Sequence, residues 1–279
     1  VGTARLRIST HSYNSEEAVR TLITKLATAD SLRETKIPTT GRATSSTTSR
    51  RSPTLVVTGT DTDVGKTVVS ALLVKAAARR GPAIYWKPVQ TGDDSDTETL
   101  RRLVQTANCE FSTPCYEFPL PASPHAAAAD VGKSIQMPFL DQALRKERTR
   151  HTEARLIVEL AGGLLVPLTS EVTQLDWLAG HRLPHVLVAR SGLGTLNHTL
   201  LSLEALRGRG IFPEALFLVG RRHPSNRATL EQMAGVPLIY ELPLLETLSG
   251  EALDEWLDEN DLAALLARGL NPERSENFA

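Results

Sequence analysis

The chain has 279 residues, of which 41% are hydrophobic and 23% are charged, and its formal net charge is −1. This composition is typical of one or two globular domains and gives no reason to expect nucleic acid or an anionic membrane as partner. No apolar run approaches the ~20 residues of a transmembrane helix. Two cysteines, Cys109 and Cys115, are too few for a disulfide framework and lack metal-site neighbours, which favours a cytoplasmic, reducing compartment.

Residues 1–30 contain a strand pattern followed by a helix pattern. Residues 6–17 (LRISTHSYNSEE) resemble the last strand and helix of class V pyridoxal-phosphate aminotransferases, in which Arg7 would match the arginine that holds the substrate carboxylate. Two interpretations stay open, a remnant of an upstream module or fusion partner and an extension without function. Because the chain begins with Val1 rather than Met, we expect the sequence to be incomplete at its N-terminus.

Residues 31–53 are rich in Ser, Thr and Arg and nearly free of large apolar side chains. Such a segment cannot bury enough apolar surface to fold, so we predict a disordered linker there. We expect the main folded domain over 54–270 and a polar tail over 271–279.

Residues 54–70 (TLVVTGTDTDVGKTVVS) combine an apolar run, a glycine-bounded turn, Gly-Lys-Thr and a helix start, which is the layout of a phosphate-binding loop. Backbone N–H groups and the helix dipole make such a turn an anion site. Lys66 would reach the β- and γ-phosphates, and the Thr67 hydroxyl would bind Mg²⁺. Gly59 and Gly65 enclose five residues, whereas the usual motif encloses four, which indicates a narrower group of proteins.

After this turn, periodicity predicts a helix over 68–80 with Gly81 as its C-cap. A strand around 84–86 then places Lys87 at its carboxyl end, where ligands of open α/β sheets bind. A solvated lysine is the alternative there. The acidic run 93–98 starts the next helix, and its carboxylates would either complete a magnesium shell or cap that helix.

Residues 109–136 contain several prolines and are predicted to form a long irregular segment of the kind that is often functional. A helix over 139–151 follows. The next strand, 156–160, carries Glu159 near its end, and a buried carboxylate is costly unless it meets a cation. We therefore expect Glu159 to face the magnesium ion, and Gly162 to allow close approach of the backbone to a ligand.

A strand over 186–189 leads into the glycine-containing turn 190–198 and a helix over 200–207. This turn would either bind a substrate carboxylate at the helix N-terminus or be a plain turn. Further strands over 216–219 and 237–240 and an acidic helix over 251–268 complete the pattern. Alternating strands and helices predict an α/β fold, a P-loop doubly wound parallel sheet with helices on both faces.

Six segments match one family in order and approximate spacing, and together they cover residues 54 to about 248. They are 59–67 (GTDTDVGKT), 87–92 (KPVQTG), 123–125 (SPH), 158–163 (VELAGG), 192–197 (GLGTLN) and 242–243 (LP). They resemble the dethiobiotin synthetases, of the deviant P-loop NTPase class. The resemblance implies a homodimeric, ATP- and Mg²⁺-dependent cyclo-ligase of biotin biosynthesis, with 7,8-diaminononanoate and CO₂ as substrates.

The resemblance also implies a route and a set of roles. One amine forms a carbamate, ATP phosphorylates it to a mixed anhydride, and the second amine closes the ureido ring and releases phosphate. Lys87 and Lys66 would be catalytic. Magnesium would be held by Thr67, Asp96 and Glu159. Nucleotide contacts are implied at Thr62, Asp63, Val64, Gly65, Lys66, Thr67, Val68, Asp96, Glu159, Gly162, Arg221 and Pro243. Substrate contacts are implied at Thr91, Gly194, Thr195, Leu196 and Asn197.

Two residues depart from that family's pattern. Leu160 stands where the family usually has glycine, and it would either narrow the site or point away from it. Arg221 stands where the family has an asparagine that hydrogen-bonds adenine, and arginine lacks the donor–acceptor pair of that amide. Arg221 would instead stack on the base, so a relaxed choice among nucleoside triphosphates is a hypothesis.

Three other classes remain as alternatives. A switch-type deviant P-loop ATPase would carry a second lysine early in the loop, where this chain has Asp61. An amidotransferase-type ligase would need a catalytic cysteine, and neither Cys109 nor Cys115 has suitable neighbours. A non-catalytic relic is favoured by the departures at Leu160 and Arg221.

Overall fold

The computed structural model describes residues 52–93 and 95–268. The expected remnant over 1–30, most of the expected linker and the polar tail lie outside these residues. Ser52 already belongs to the folded part, because it is 1% exposed and its N–H and hydroxyl donate to the carbonyls of Arg148 and His151 at 2.7 and 2.6 Å. The described fold therefore begins two residues before the boundary expected at Thr54.

Nine strands and nine helices form the described part of the chain. The strands are β1 Thr54–Gly59, β2 Ala83–Trp86, β3 Val89–Thr91, β4 Cys109–Ser112, β5 Tyr116–Phe118, β6 Arg155–Glu159, β7 His185–Arg190, β8 Ala215–Val219 and β9 Ile239–Leu242. The helices are α1 Lys66–Ala78, α2 Asp96–Val104, α3 Pro124–Asp130, α4 Met137–Arg150, α5 Gln174–His181, α6 Thr195–Gly208, α7 Pro224–Met233, α8 Gly250–Glu259 and α9 Ala263–Arg268.

Seven of these strands form one sheet in the order β4-β2-β6-β1-β7-β8-β9, and every pairing in it is parallel. β3 and β5 form a separate parallel pair. Because all strands of the large sheet run the same way, their carboxyl ends meet at one edge, where open α/β sheets bind ligands. The doubly wound parallel sheet expected from the sequence is confirmed.

Apolar side chains of the sheet alternate between two cores, as the period of two in a strand requires. On one face, Leu55 and Val57 pack with buried residues of α1, α2, α8 and α9. On the other, Val56 packs with buried residues of α3 to α7. Helices thus cover both faces, and strands buried on both sides read as continuous apolar runs in the sequence.

Four element predictions differ from the structure: the helix predicted over 200–207 already begins at Thr195, and three further differences follow. Residues 109–136 are not irregular, since they contain β4, β5 and α3. The helix predicted over 251–268 is two helices, because Asp261 accepts the N–H of Ala263 at 2.7 Å and starts α9 anew. Helix α1 ends at Ala78 with Arg79 as its C-cap, so Gly81 lies beyond the cap. Among the described residues, no helix is long and apolar enough to cross a membrane.

Candidate nucleotide and metal site

The turn between β1 and α1 is built around glycine. Gly65 caps α1 in the left-handed region at φ 96°, and no side chain caps this helix end. A Cβ on Gly65 would lie 2.8 Å from Cγ1 of Val219, and one on Gly59 would lie 3.0 Å from Cδ of Lys66. Gly65 therefore allows a close approach that a larger residue would not, and a larger residue at Gly59 would crowd Lys66.

Lys66 lies in this turn with only 7% of its surface exposed. Its ammonium group donates to the carbonyl oxygen of Asp61 at 2.7 Å, which is a neutral partner. The pKa of Lys66 is lowered from 10.5 to about 8, chiefly because the ammonium group is buried; the charge of Glu159 opposes this shift and the positive charge of Lys87 adds to it. A buried cation with a neutral partner suits an incoming phosphate, which supplies the missing negative charge.

Four side chains meet beside the turn. The Thr67 hydroxyl lies 2.6 Å from Oδ1 of Asp96 and 3.0 Å from Oε1 of Glu159. The Lys87 ammonium forms ion pairs with both carboxylates, with Nζ 3.3 Å from Oε1 of Glu159. These residues come from the start of α1, the end of β2, the start of α2 and the end of β6. The fold therefore brings side chains that are distant in the sequence together at the carboxyl edge of the sheet.

Strand register explains why Lys87 and Glu159 meet. β2 and β6 are parallel neighbours in which Tyr85 pairs with Ile157. Two residues further along each strand are Lys87 and Glu159, on the same face as that pair because side chains alternate with a period of two. This is the face that α1 covers. The two residues therefore point toward the start of α1.

The cluster pairs one lysine with two carboxylates, and these contacts shift the pKa values of Lys87 and Asp96. Burial alone would lower the pKa of Lys87, but the charges of Glu159 and Asp96 outweigh it and raise this pKa. Burial alone would raise the pKa of Asp96, but the charge of Lys87 and the hydrogen bonds from Lys87 and Thr67 lower it. Both groups are thus held in their charged forms at neutral pH.

The oxygen atoms of this cluster fit magnesium. Mg²⁺ prefers hard oxygen ligands, usually one or two carboxylates with water and substrate phosphates completing its shell. Thr67, Asp96 and Glu159 supply one hydroxyl and two carboxylates, and the hydroxyl lies within hydrogen-bond distance of each carboxylate. No group of three or more His, Cys, Asp or Glu that could hold a metal occurs within 52–93 and 95–268. The donor set therefore suits Mg²⁺ held jointly with phosphate rather than a closed structural metal site.

Two residues of this region were not predicted from the sequence. Gln174 is buried, and its amide accepts the N–H of Ala161 at 2.9 Å and donates to the carbonyls of Ala161 and Gly163, which holds the turn after Glu159. Tyr85 is buried and its hydroxyl donates to Oε2 of Glu159 at 3.0 Å. Nothing local in the sequence marks Gln174, whereas Tyr85 stands two positions before Lys87 in a strand, a spacing that places both on one face.

The other residues that were expected to bind the nucleotide differ in exposure and in their position around the turn. Thr62 and Asp63 are exposed, Val68 is half-buried in the first turn of α1, and Val64 is buried in the core so that only its backbone faces the turn. A Cβ on Gly162 would lie 3.3 Å from the Thr62 hydroxyl, which places the two turns in contact. Arg221 and Pro243 follow the ends of β8 and β9 at the same sheet edge.

The expected substrate residues lie on two elements. Thr91 ends β3 and is half-buried. Gly194 caps α6 at φ 89° with no side-chain cap, and among the described residues no backbone hydrogen bond from the N–H of Leu196 or Asn197 is seen. Thr195 differs from these neighbours, since its hydroxyl is buried 3.2 Å from that of Thr199 and its N–H donates to Gly192. The amides of Leu196 and Asn197 are therefore the ones at this helix start that could accept an anion.

The structure places both departures from the family pattern. Leu160 is 5% exposed and packs in the core on the face of the sheet away from α1, so its side chain points away from the cluster around Thr67. The Arg221 side chain is exposed, and within the described residues it makes no hydrogen bond or ion pair. Its carbonyl accepts the Ser191 hydroxyl at 2.5 Å, which ties the turns after β7 and β8 together.

The cysteines are poor nucleophiles. Burial raises the pKa of Cys109 to about 12 and that of Cys115 to about 11. Because the thiolate is the reactive form, neither has the properties of a catalytic cysteine. This argues against an amidotransferase-type ligase built on these two residues.

A parallel sheet whose first strand leads through a glycine-bounded Lys-Thr turn into a helix, beside two carboxylates, defines a P-loop nucleotide-binding protein. In agreement, the profile of the family described as "AAA domain" matches residues 53–252. The chain belongs to the dethiobiotin synthetase family. It is 42% identical over 203 residues to the ATP-dependent dethiobiotin synthetase BioD of Nitrobacter hamburgensis, covering 72% of this chain and 91% of that relative.

A second relative is the ATP-dependent dethiobiotin synthetase BioD of Brucella melitensis biotype 2, which is 40% identical over 201 residues. The alignment covers 71% of this chain and 90% of that relative. Among solved structures, a ParA family ATPase from Chlorobium tepidum TLS aligns with a TM-score of 0.48 at 12% identity, covering 80% of this chain and 99% of that one.

Proposed function

We propose that this chain is an ATP-dependent dethiobiotin synthetase that closes the ureido ring of dethiobiotin from 7,8-diaminononanoate and CO₂ in the cytoplasm. The observation that supports it most directly is the meeting of Lys66, Thr67, Lys87, Asp96 and Glu159 at one sheet edge. Phosphoryl transfer needs positioning and charge neutralisation more than covalent help, and two lysines with two acids offer both.

The proposed chemistry has three steps. One substrate amine adds to the carbon of CO₂ and loses a proton, which gives a carbamate. A carbamate oxygen then attacks the γ-phosphorus of ATP, so an O–P bond forms and the bond to ADP breaks. The second amine then attacks the carbamoyl carbon, loses a proton and expels phosphate, which closes the ring. When bound, Mg²⁺ would neutralise phosphate charge, and Thr67, Asp96 and Glu159 would hold it.

The two lysines would contact different groups of the reactants. The Lys66 ammonium and the turn amides hold the β- and γ-phosphates, because the buried cation has only a neutral carbonyl as partner. Lys87 lies beside the acids and would contact the carbamate and the moving phosphoryl oxygens. Its charged form is favoured by Glu159 and Asp96, so it keeps its proton throughout.

The far carboxylate of the substrate would bind at the start of α6. The free amides of Leu196 and Asn197 and the helix dipole favour an anion there. In the proposed homodimer this helix start would face the partner subunit's site, and the fully exposed side chain of Leu193 beside it suits such an interface.

The direct test is a reaction with purified protein, ATP, Mg²⁺, 7,8-diaminononanoate and ¹³C-labelled bicarbonate. We expect dethiobiotin that carries the label in its ureido carbonyl, with one ADP formed for each product molecule. Omitting any one component should abolish the product. ATP hydrolysis without labelled dethiobiotin, whatever the enzyme concentration, would instead favour the switch-type ATPase, and the absence of both would favour a non-catalytic relic.

A further inference from the structure

The two carboxylate oxygens of Glu159 have different surroundings. Oε1 lies 3.0 Å from the Thr67 hydroxyl and 3.3 Å from the Lys87 ammonium. Oε2 accepts a hydrogen bond from the Tyr85 hydroxyl at 3.0 Å, and the part of the chain that the structure describes provides it with no second donor. Glu159 is only 1% exposed, so these side chains rather than solvent surround its carboxylate, and Tyr85 is the described contact on the Oε2 side.

Tyr85 is itself held firmly. It lies in β2, is fully buried, and pairs with Ile157 on the neighbouring strand, two residues before Glu159. Its ring packs edge to face against Phe111 with centroids 6.1 Å apart. Burial and the negative charge of Glu159 raise the pKa of the phenol, so the hydroxyl stays a donor.

We propose that Tyr85 is a positioning residue for the magnesium site: its hydroxyl holds Oε2 of Glu159, and this presents Oε1 to the side where Thr67 and Asp96 lie. The inference rests on the proposed function only in taking Glu159 as a magnesium ligand. Hydrogen bonds behind a metal ligand fix its orientation before the metal arrives, and their loss lowers metal affinity by about 10- to 100-fold.

The test replaces one hydroxyl. Tyr85→Phe keeps the ring and its contact with Phe111. Mn²⁺ binding, measured by electron paramagnetic resonance in the presence of a non-hydrolysable ATP analogue, should weaken by about 10-fold or more. The Mg²⁺ concentration for half-maximal dethiobiotin formation should rise in parallel, while kcat at saturating Mg²⁺ changes far less.

Two control variants separate this role from plain packing. Tyr240→Phe, on β9, removes a phenol hydroxyl that donates to the Asp261 carbonyl at 3.4 Å, and it should leave Mn²⁺ affinity unchanged. Phe111→Leu loosens the packing of the Tyr85 ring and keeps its hydroxyl, so it should lower the unfolding temperature with a smaller effect on Mn²⁺ affinity.

Two outcomes would overturn the inference, and a third separates it from the proposed function. A folded Tyr85→Phe protein with Mn²⁺ affinity within about twofold of wild type would overturn it, even if its unfolding temperature falls. If the variant is too unstable at room temperature, the rise in unfolding temperature caused by Mn²⁺ with the analogue should be smaller than in wild type, and an equal rise would overturn it. A wild-type protein that binds Mn²⁺ and the analogue but makes no dethiobiotin would overturn the proposed function alone.

Discussion

The ammonium group of Lys87 lies 3.3 Å from Oε1 of Glu159, although 72 positions separate the two residues in the chain. Their side chains are 5% and 1% exposed. Removing one partner of a buried ion pair leaves an uncompensated charge. The free-energy cost of that charge is larger than the net stabilisation that the intact pair provides. This pair therefore couples the fold of the sheet edge to the chemistry proposed for it.

Lys87→Met should lower the rate of dethiobiotin formation by about 10²- to 10³-fold, because one positive charge aimed at the phosphoryl group is lost. Steady-state kinetics at saturating Mg²⁺ and ATP measure this. ATP binding should persist, since Lys66 and the turn amides are intact. The half-saturating Mg²⁺ concentration should not rise, because Asp96 and Glu159 lose a competing cation.

Lys146→Met is the matched control for Lys87→Met, because Lys146 is exposed on α4. Its kinetics should equal those of the wild type. A Lys87→Met protein that folds and still forms dethiobiotin at more than about a tenth of the wild-type rate would contradict a role for Lys87 in charge neutralisation.

The sequence predicts the turn and the sheet well because their signals are local. A strand buried on both faces is a continuous apolar run, and the Gly-Lys-Thr turn joins one such run to a helix. Strand order cannot be predicted from such local signals. β6 lies between β2 and β1, and no local sequence pattern encodes which strands are neighbours. The sequence predicts that Lys87 and Glu159 both lie at the ligand-binding edge of the sheet, but their direct contact depends on this strand order.

Weak or misleading local signals explain the other misses. β4 and β5 have four and three residues, which is too short for a period of two to stand out beside the prolines around them. Helix α6 begins at Thr195, five residues before its predicted start, because the left-handed Gly194 caps it. The helix break at 260–262 depends on Asp261, a residue that also occurs inside helices.

Gly65→Ala should destabilise the protein by roughly 1–3 kcal/mol from its left-handed backbone alone, and more from the contact with Val219. ATP affinity should fall sharply because the start of α1 shifts. Denaturant unfolding and equilibrium binding measure the two effects.

Gly81→Ala is the control for Gly65→Ala, since a Cβ at Gly81 meets no atom within 4 Å and its φ is not positive. It should leave both stability and ATP affinity near wild type. Adding Val219→Ala to Gly65→Ala should relieve the steric part only. Full recovery of stability in that double variant would contradict backbone strain at Gly65.

Arg221 is expected to relax the choice of nucleotide. Wild-type turnover with CTP and GTP should lie within about tenfold of turnover with ATP, because arginine stacks on any base. Arg221→Asn should raise the preference for ATP by on the order of tenfold, since an amide offers a donor and an acceptor to adenine. Arg222→Asn, at the adjacent exposed position, should not. Strict dependence of the wild type on ATP would reject the hypothesis.

His185 is a buried titratable residue on β7 that takes no part in the candidate site. It is 1% exposed, its Nδ1 lies 3.1 Å from the Leu183 carbonyl, and its Nε2 has no hydrogen-bond partner in the part of the chain that the structure describes. Burial lowers the pKa of His185 from 6.5 to about 4. The folded protein therefore keeps this imidazole neutral in a range where the unfolded chain protonates it.

The free energy of unfolding should consequently fall as the pH drops from 6.5 toward 4, by up to about 3 kcal/mol from this residue, and the effect should vanish above pH 6.5. His185→Gln removes the titration, so its stability loss between about pH 7 and about pH 4.5 should be smaller than that of wild type by about 2 kcal/mol. Urea unfolding at both pH values measures the difference. His198→Gln, at an exposed position on α6, should keep the wild-type loss, and equal losses in wild type and His185→Gln would contradict the depressed pKa.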